Sequence, residues 1–135
     1  MFVDLLEETM ILVLADFGIQ AGREPEHRGV WVGDLKVAAL GVAIRRWVSF
    51  HGIALNVSPN MGHFCHINPC ELGHEQVTSM ANFLEQVPSL PEVSDAVVRR
   101  FTQLFPTHWQ ALSSAELFHR ITMGDEISHI GGMQV

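Results

Sequence analysis

The sequence has few cations, two cysteines and a single lysine, and each scarcity excludes something. Eight Lys and Arg against fifteen Asp and Glu give a net charge of -7, which leaves no broad basic face for a phosphate backbone, so no nucleic acid partner is expected. Two cysteines without a regular framework do not staple a small secreted domain, and the opening residues do not read as a signal peptide. Both observations point to a reducing compartment, the cytoplasm by default. Met1 to Gly18 is apolar enough to suggest a membrane segment, but Asp4, Glu7, Glu8 and Asp16 interrupt it and no cationic flank precedes it. No membrane partner is expected. Internal repeats and low-complexity runs are also lacking.

What is present fits one globular domain: 135 residues, 47% hydrophobic and 17% charged. Phe2, Leu5, Leu6, Met10, Val13, Leu14 and Phe17 recur at helical spacing, so a helix is predicted up to Gly18, its wide apolar face lying against a sheet. Val30 to Val32 and Leu35 to Leu40 flank Gly33-Asp34, a two-residue turn with glycine first, and predict a hairpin. Gly41 is expected to end or bend the second strand. Further strands are expected around Val42 to Phe50 and at Ile53 to Val57. Ser58 to Gly73 reads as an irregular loop holding both cysteines. Beyond it, Thr78 or Ser79 is expected to cap a short helix to Val87 and Ser94 a second one, whose apolar face is Val97, Val98, Phe101, Leu104 and Phe105. Thr107 to His119 reads as a last helix and residues 121–135 as a loose tail.

Three groups of residues could carry chemistry. His63, Cys65, His66, Cys70 and His74 place five soft ligands in one loop, but structural zinc sites pair a tight knuckle with a distant second pair, and none is present. No metal site is therefore assigned. Cys70 follows Pro69 just before a predicted helix start, where backbone N–H groups favour a thiolate or hold an oxyanion; a buried, inert thiol is the alternative. Lys36 sits among Leu35, Val37, Ala38, Ala39 and Leu40, where alternation alone does not fix its direction. A desolvated amine exchanges protons and an ammonium stabilises a neighbouring thiolate, whereas an edge-strand lysine merely discourages aggregation. Finally, Ala38-Ala39-Leu40-Gly41 and Gly52-Ile53-Ala54 carry small side chains that leave room either for an apolar ligand or for close packing of the helix. An apolar chain buried in such a slot gains about 0.8 kcal/mol per methylene.

Gly29-Val30-Trp31-Val32, Lys36 to Val42, Arg46 to Val57, Pro69-Cys70 and Val77-Thr78-Ser79 together resemble, in order and spacing, the octanoyltransferase family of lipoate biosynthesis, also called lipoyl(octanoyl) transferases. The resemblance covers about Leu5 to Phe105. It implies an α/β fold like the later part of the biotin and lipoate protein ligase-like domain, a mixed sheet with packed helices. It also implies transfer of an octanoyl or lipoyl group from acyl carrier protein to a lysine of lipoyl domains in oxo-acid dehydrogenases or the glycine cleavage protein. Cys70 matches the family's acyl-thioester cysteine and Lys36 the lysine that activates it. Ala39, Leu40, Gly41, Gly52, Ile53 and Ala54 match its substrate-contact segments. No cofactor, metal or ATP is implied. Two departures accompany the match. Residues 1–135 read as a single truncated catalytic domain without the family's upstream Arg-Gly-Gly and His-Gly-Pro-Gly segments, and Glu71 stands where the family carries glycine. A catalytically impaired fragment or an acyl-binding remnant of the same family is the alternative.

Overall fold

The computed structural model describes residues 2–66, 76–105 and 109–123, apart from the side chains of Cys65 and His66. Two compact units divide the chain, Met1–Leu104 and Phe105–Val135. In the first, helix α1 spans Phe2–Asp16, strands β1, β2 and β3 span Val30–Val32, Leu35–Arg45 and Val48–Leu55, and helix α2 spans Leu90–Leu104. The strands form an antiparallel sheet in the order β1-β2-β3, and one parallel bridge, Lys36 to Val77, extends it.

α1 buries Leu6, Met10, Val13 and Leu14, the stripe that helical spacing predicts. It stops at Gly18, whose φ of +80° only glycine adopts at little cost. Gly18 N–H donates to the Ala15 carbonyl at 3.0 Å and Ile19 N–H to that of Leu14 at 2.9 Å, the bond pair of a Schellman stop. The core joins this stripe to Val30, Val37 and Ala38 of the sheet, to Val57 and Met80, and to Val93 and Ala96 of α2. Ile53 and Leu55 pack against it, so the helices cover the sheet face that carries them.

The predicted Gly33-Asp34 hairpin forms, with Val32 opposite Leu35 and positive φ at Gly33. Gly41 does not end β2. The strand runs on to Arg45 because Gly41 pairs directly with Gly52, and the expected Ile53 to Val57 strand is the end of β3 instead. The turn between them falls at Arg46-Trp47, both at positive φ, 51° and 65°. Such a turn is usually Asn-Gly, so these two side chains gave no signal for it.

The helical segments differ more. Met80–Asn82 is a single 3-10 turn where a helix to Val87 was expected, and α2 starts before Ser94. Its cap is Ser89: Ser89 Oγ and N–H both donate to Glu92 Oε2, at 2.7 and 2.8 Å. Pro91 reads as a breaker but lies in the first turn, where a missing N–H costs nothing. The buried face is accordingly Val93 and Ala96, with Val97 partly packed, while Val98 is exposed. In the second unit the same device recurs: Ser113 Oγ donates to Glu116 Oε2 at 2.6 Å, and α3 spans Ser114–Met123. It starts later than the predicted Thr107 and takes in the first three residues of the expected tail.

Candidate active site

Lys36 is buried, and a bulge explains how. Along β2, Lys36 faces Trp31 but the next pair is Ala38 with Val30, so Val37 is the extra residue. Strict alternation would bury every second residue; with the bulge Lys36, Val37 and Ala38 are all buried in succession. The ammonium lies 4.9 Å from the centroid of the Trp31 ring, over its electron-rich face. No ion pair neutralises it among the described residues.

Both edges of β2 are occupied at this point. Trp31 lies on one side; on the other, β3 has ended and Val77 takes its place, Thr78 N–H donating to the Lys36 carbonyl at 2.9 Å. Asn56 holds that segment down. Its amide donates to the Thr78 carbonyl at 3.0 Å, its backbone carbonyl accepts from Met80 N–H at 2.8 Å, and its own N–H donates to the Val37 carbonyl at 3.0 Å. Thr78 and Ser79 are buried there.

The six small or apolar residues of the two matching segments meet as three successive cross-strand pairs, Ala39 with Ala54, Leu40 with Ile53, and Gly41 with Gly52. Ile53 turns to the core. Ala39, Gly41 and Ala54 are exposed, on the face away from the helices, and a Cβ added at Gly41 or Gly52 would meet no atom within 4 Å. Close packing of α1 is therefore not what keeps these residues small.

Cys70 and Glu71 lie outside the described residues, as does His74. With Cys65 and His66 described only as backbone, the histidine-rich loop is not placed as a group. Among the described residues no three His, Cys, Asp or Glu side chains converge as metal ligands.

Sequence reading overlooked the support of this corner. Glu7 is buried on α1, its Oε1 accepting from Gly29 N–H at 3.0 Å and its Oε2 from Arg23 and Arg28 at 3.3 and 3.4 Å. Arg23 also reaches Glu8 at 2.6 Å, and Arg28 reaches Asp4 at 3.0 Å. A signal existed: Glu7 stands three residues before Met10 and seven before Leu14, a carboxylate on the apolar stripe. Arg99 and Arg100 are likewise engaged, both with Asp16, and hydrogen bonding from Arg100 above all holds that carboxyl below its ordinary value of 3.8. Arg45 and Arg46 at the β2–β3 tip make no ion pair among the described residues, and the sequence from Leu35 to Cys70 contains no Asp or Glu.

The chain resembles known proteins along most of its length. The octanoyltransferase of Thermoanaerobacter sp. (strain X514) is 42% identical over 113 residues, 84% of this chain and 49% of that protein. That of Solibacter usitatus is 48% identical over 104 residues, 77% of this chain and 46% of that protein. The chain thus spans about half the length of the curated relatives it matches. Among solved structures, lipoate-protein ligase A bound with ATP superposes with a TM-score of 0.68 at 17% identity, over 93% of this chain and 54% of that one. Protein Ta0514 of T. acidophilum with bound lipoic acid gives 0.65 at 15%, over the same shares. At such identities these two establish the fold, which is the α/β fold of the lipoate ligases. Because the family model of the lipoyl protein ligase A/B catalytic domain matches residues 1–102, which include α1, the bulged hairpin and Lys36, the chain belongs to that family.

Proposed function

We propose that this chain carries the acyl-transfer chemistry of an octanoyltransferase, moving an octanoyl or lipoyl group from acyl carrier protein to a lysine of a lipoyl domain by way of a thioester on Cys70. The observation that carries the reading is Lys36: buried, free of any carboxylate partner among the described residues, and bridged through its backbone to Val77, seven residues after Cys70. A cation so placed stabilises a thiolate better than one in water, because little solvent screens it.

In the first step the Cys70 thiolate attacks the thioester carbonyl, a new C–S bond forms, and the bond to the donor thiol breaks. The departing thiolate takes up a proton, for which the Lys36 ammonium is a source. In the second step the acceptor lysine's neutral amine attacks the Cys70 thioester. A C–N bond forms, Cys70 leaves as thiolate, and the proton lost by the amine returns to the Lys36 amine that the first step left neutral. Exchange between thioesters is nearly balanced and amide formation is downhill, so no nucleotide is needed. The open strip of Ala39, Gly41, Gly52 and Ala54 receives the acyl chain, while the Leu40–Ile53 pair between them supports it from the core face. Arg45 and Arg46 dock the acidic carrier, since Arg99 and Arg100 are held by Asp16. A free thiol nucleophile places the work in a reducing compartment, the cytoplasm.

Intact mass after incubation with octanoyl-acyl carrier protein tests this. One octanoyl adduct is expected, absent in Cys70→Ser and formed about tenfold more slowly in Lys36→Met. Double reversal, Arg45→Glu with Arg46→Glu, should slow acylation by the carrier-bound donor and not by a free octanoyl thioester. A wild-type chain that takes up no octanoyl group would support the alternative, an impaired fragment or acyl-binding remnant of the family.

A further inference from the structure

Glu7 and Lys36 are the two buried charged side chains among the described residues, one on α1 and one on β2, and a single glycine joins them. The two oxygens of Glu7 divide their tasks. Oε2 faces Arg23 and Arg28, which balance the charge, while Oε1 takes the buried N–H of Gly29 at 3.0 Å. Gly29 has a φ of +129°, a conformation that side chains with a Cβ rarely adopt. A Cβ there would fall 2.5 Å from the Ala38 carbonyl oxygen and 3.3 Å from Cε of Lys36. The backbone of Gly29 is thus one wall of the slot that holds the lysine stem, and the Trp31 ring lies 4.9 Å from its ammonium.

We propose that Glu7, acting through Gly29, is a positioning residue for Lys36: the carboxylate fixes the peptide against which the lysine stem packs and so sets where the ammonium sits. Arginines alone would suffice to keep a buried carboxylate stable, and both reach it; the bond to Gly29 N–H adds a geometric constraint that ends at the lysine. This inference rests on Lys36 acting as the activator of Cys70.

The test follows the alkylation of Cys70 by iodoacetamide against pH in the full chain. Cys65 is resolved by peptide mass spectrometry in the same sample as an internal reference. Lys36→Met sets the scale: loss of a nearby cation should raise the Cys70 midpoint by roughly one pH unit, a tenfold loss of thiolate near neutrality. Glu7→Ala and Gly29→Ala should each raise it by at least about half as much, leave Cys65 in place, and add nothing when combined with Lys36→Met. Glu7→Gln keeps an oxygen for Gly29 N–H and should hold the midpoint near that of the unmodified chain. If Lys36→Met shifts Cys70 while Glu7→Ala and Gly29→Ala do not, the positioning role is overturned and the activator role stands. Equal movement of Cys65 and Cys70 overturns it as well, since general loosening then explains the result. An unmoved Cys70 in Lys36→Met removes the activator role and this inference with it.

Discussion

A charge or a Cβ in the wrong place is felt most sharply beside a reacting sulfur. Glu71 follows Cys70 directly, and a carboxylate opposes formation of a thiolate on a neighbouring residue. Glu71→Gly should therefore speed alkylation of Cys70 near neutral pH by about two- to fivefold, with Cys65 unchanged, as read by peptide mass spectrometry. An unchanged rate would mean that the Glu71 carboxylate does not act on the sulfur. At the same scale, Lys36 shows what a residue type alone does not disclose. Its rarity in the sequence drew attention to it, but its burial follows from one bulged residue, Val37, and from the Trp31 face opposite. Neither is written in the local pattern of Leu35 to Leu40.

At the scale of elements, capping boxes and stops were the readable signals, though not all were read. Gly18 ended α1 as predicted, and the Ser89-to-Glu92 box set the start of α2 that Pro91 disguised. The β2–β3 turn was not readable, because Arg46 and Trp47 hold a conformation that costs side chains with a Cβ about 1 kcal/mol or more each. Pairing along the whole length of β2 and β3, Ala38 with Leu55 through Arg45 with Val48, imposes it. Trp47 is 99% exposed and loses no packing when removed, so Trp47→Gly should raise stability by about 1 kcal/mol. A melting temperature equal to or below that of the unmodified chain would contradict the strain at this turn.

At the scale of the molecule, α1 carries two clamps, one to the loop before β1 and one to α2. In the second, Asp16 at the C-terminal end of α1 meets Arg99 and Arg100 of α2, which offsets the unfavourable placing of a carboxylate at that helix end. The hydrogen bond from Arg100 is the largest effect on the Asp16 carboxyl; burial opposes it, and Arg99 adds to Arg100, so that the carboxyl is held below 3.8. A carboxyl depressed in the folded state contributes stability that is complete above its ordinary value and lost as pH falls through the folded one. Arg100→Gln should therefore lower the melting temperature at neutral pH, with the two curves converging as the pH falls below the ordinary carboxyl value of 3.8. A difference that stays constant with pH would assign the effect to packing instead. Across the described residues no helix is long and apolar enough to cross a membrane, in keeping with the acidic interruptions of α1.

The sequence by itself determined the elements whose causes are local: the apolar stripe and glycine stop of α1, the Gly33-Asp34 hairpin, and the residue blocks that carry the family resemblance. Spacing along one chain suffices for these, because helical period, turn chemistry and motif order involve near neighbours only. Tertiary structure decided what depends on residues far apart. It matched Ala39, Leu40 and Gly41 against Ala54, Ile53 and Gly52 in register, brought Val77 beside Lys36, and put Glu7 twenty-two residues away against Gly29. Those outcomes turn on strand pairing, on a bulge, and on the need of a buried carboxylate and a buried N–H for partners. Such requirements are met only once the chain has closed on itself.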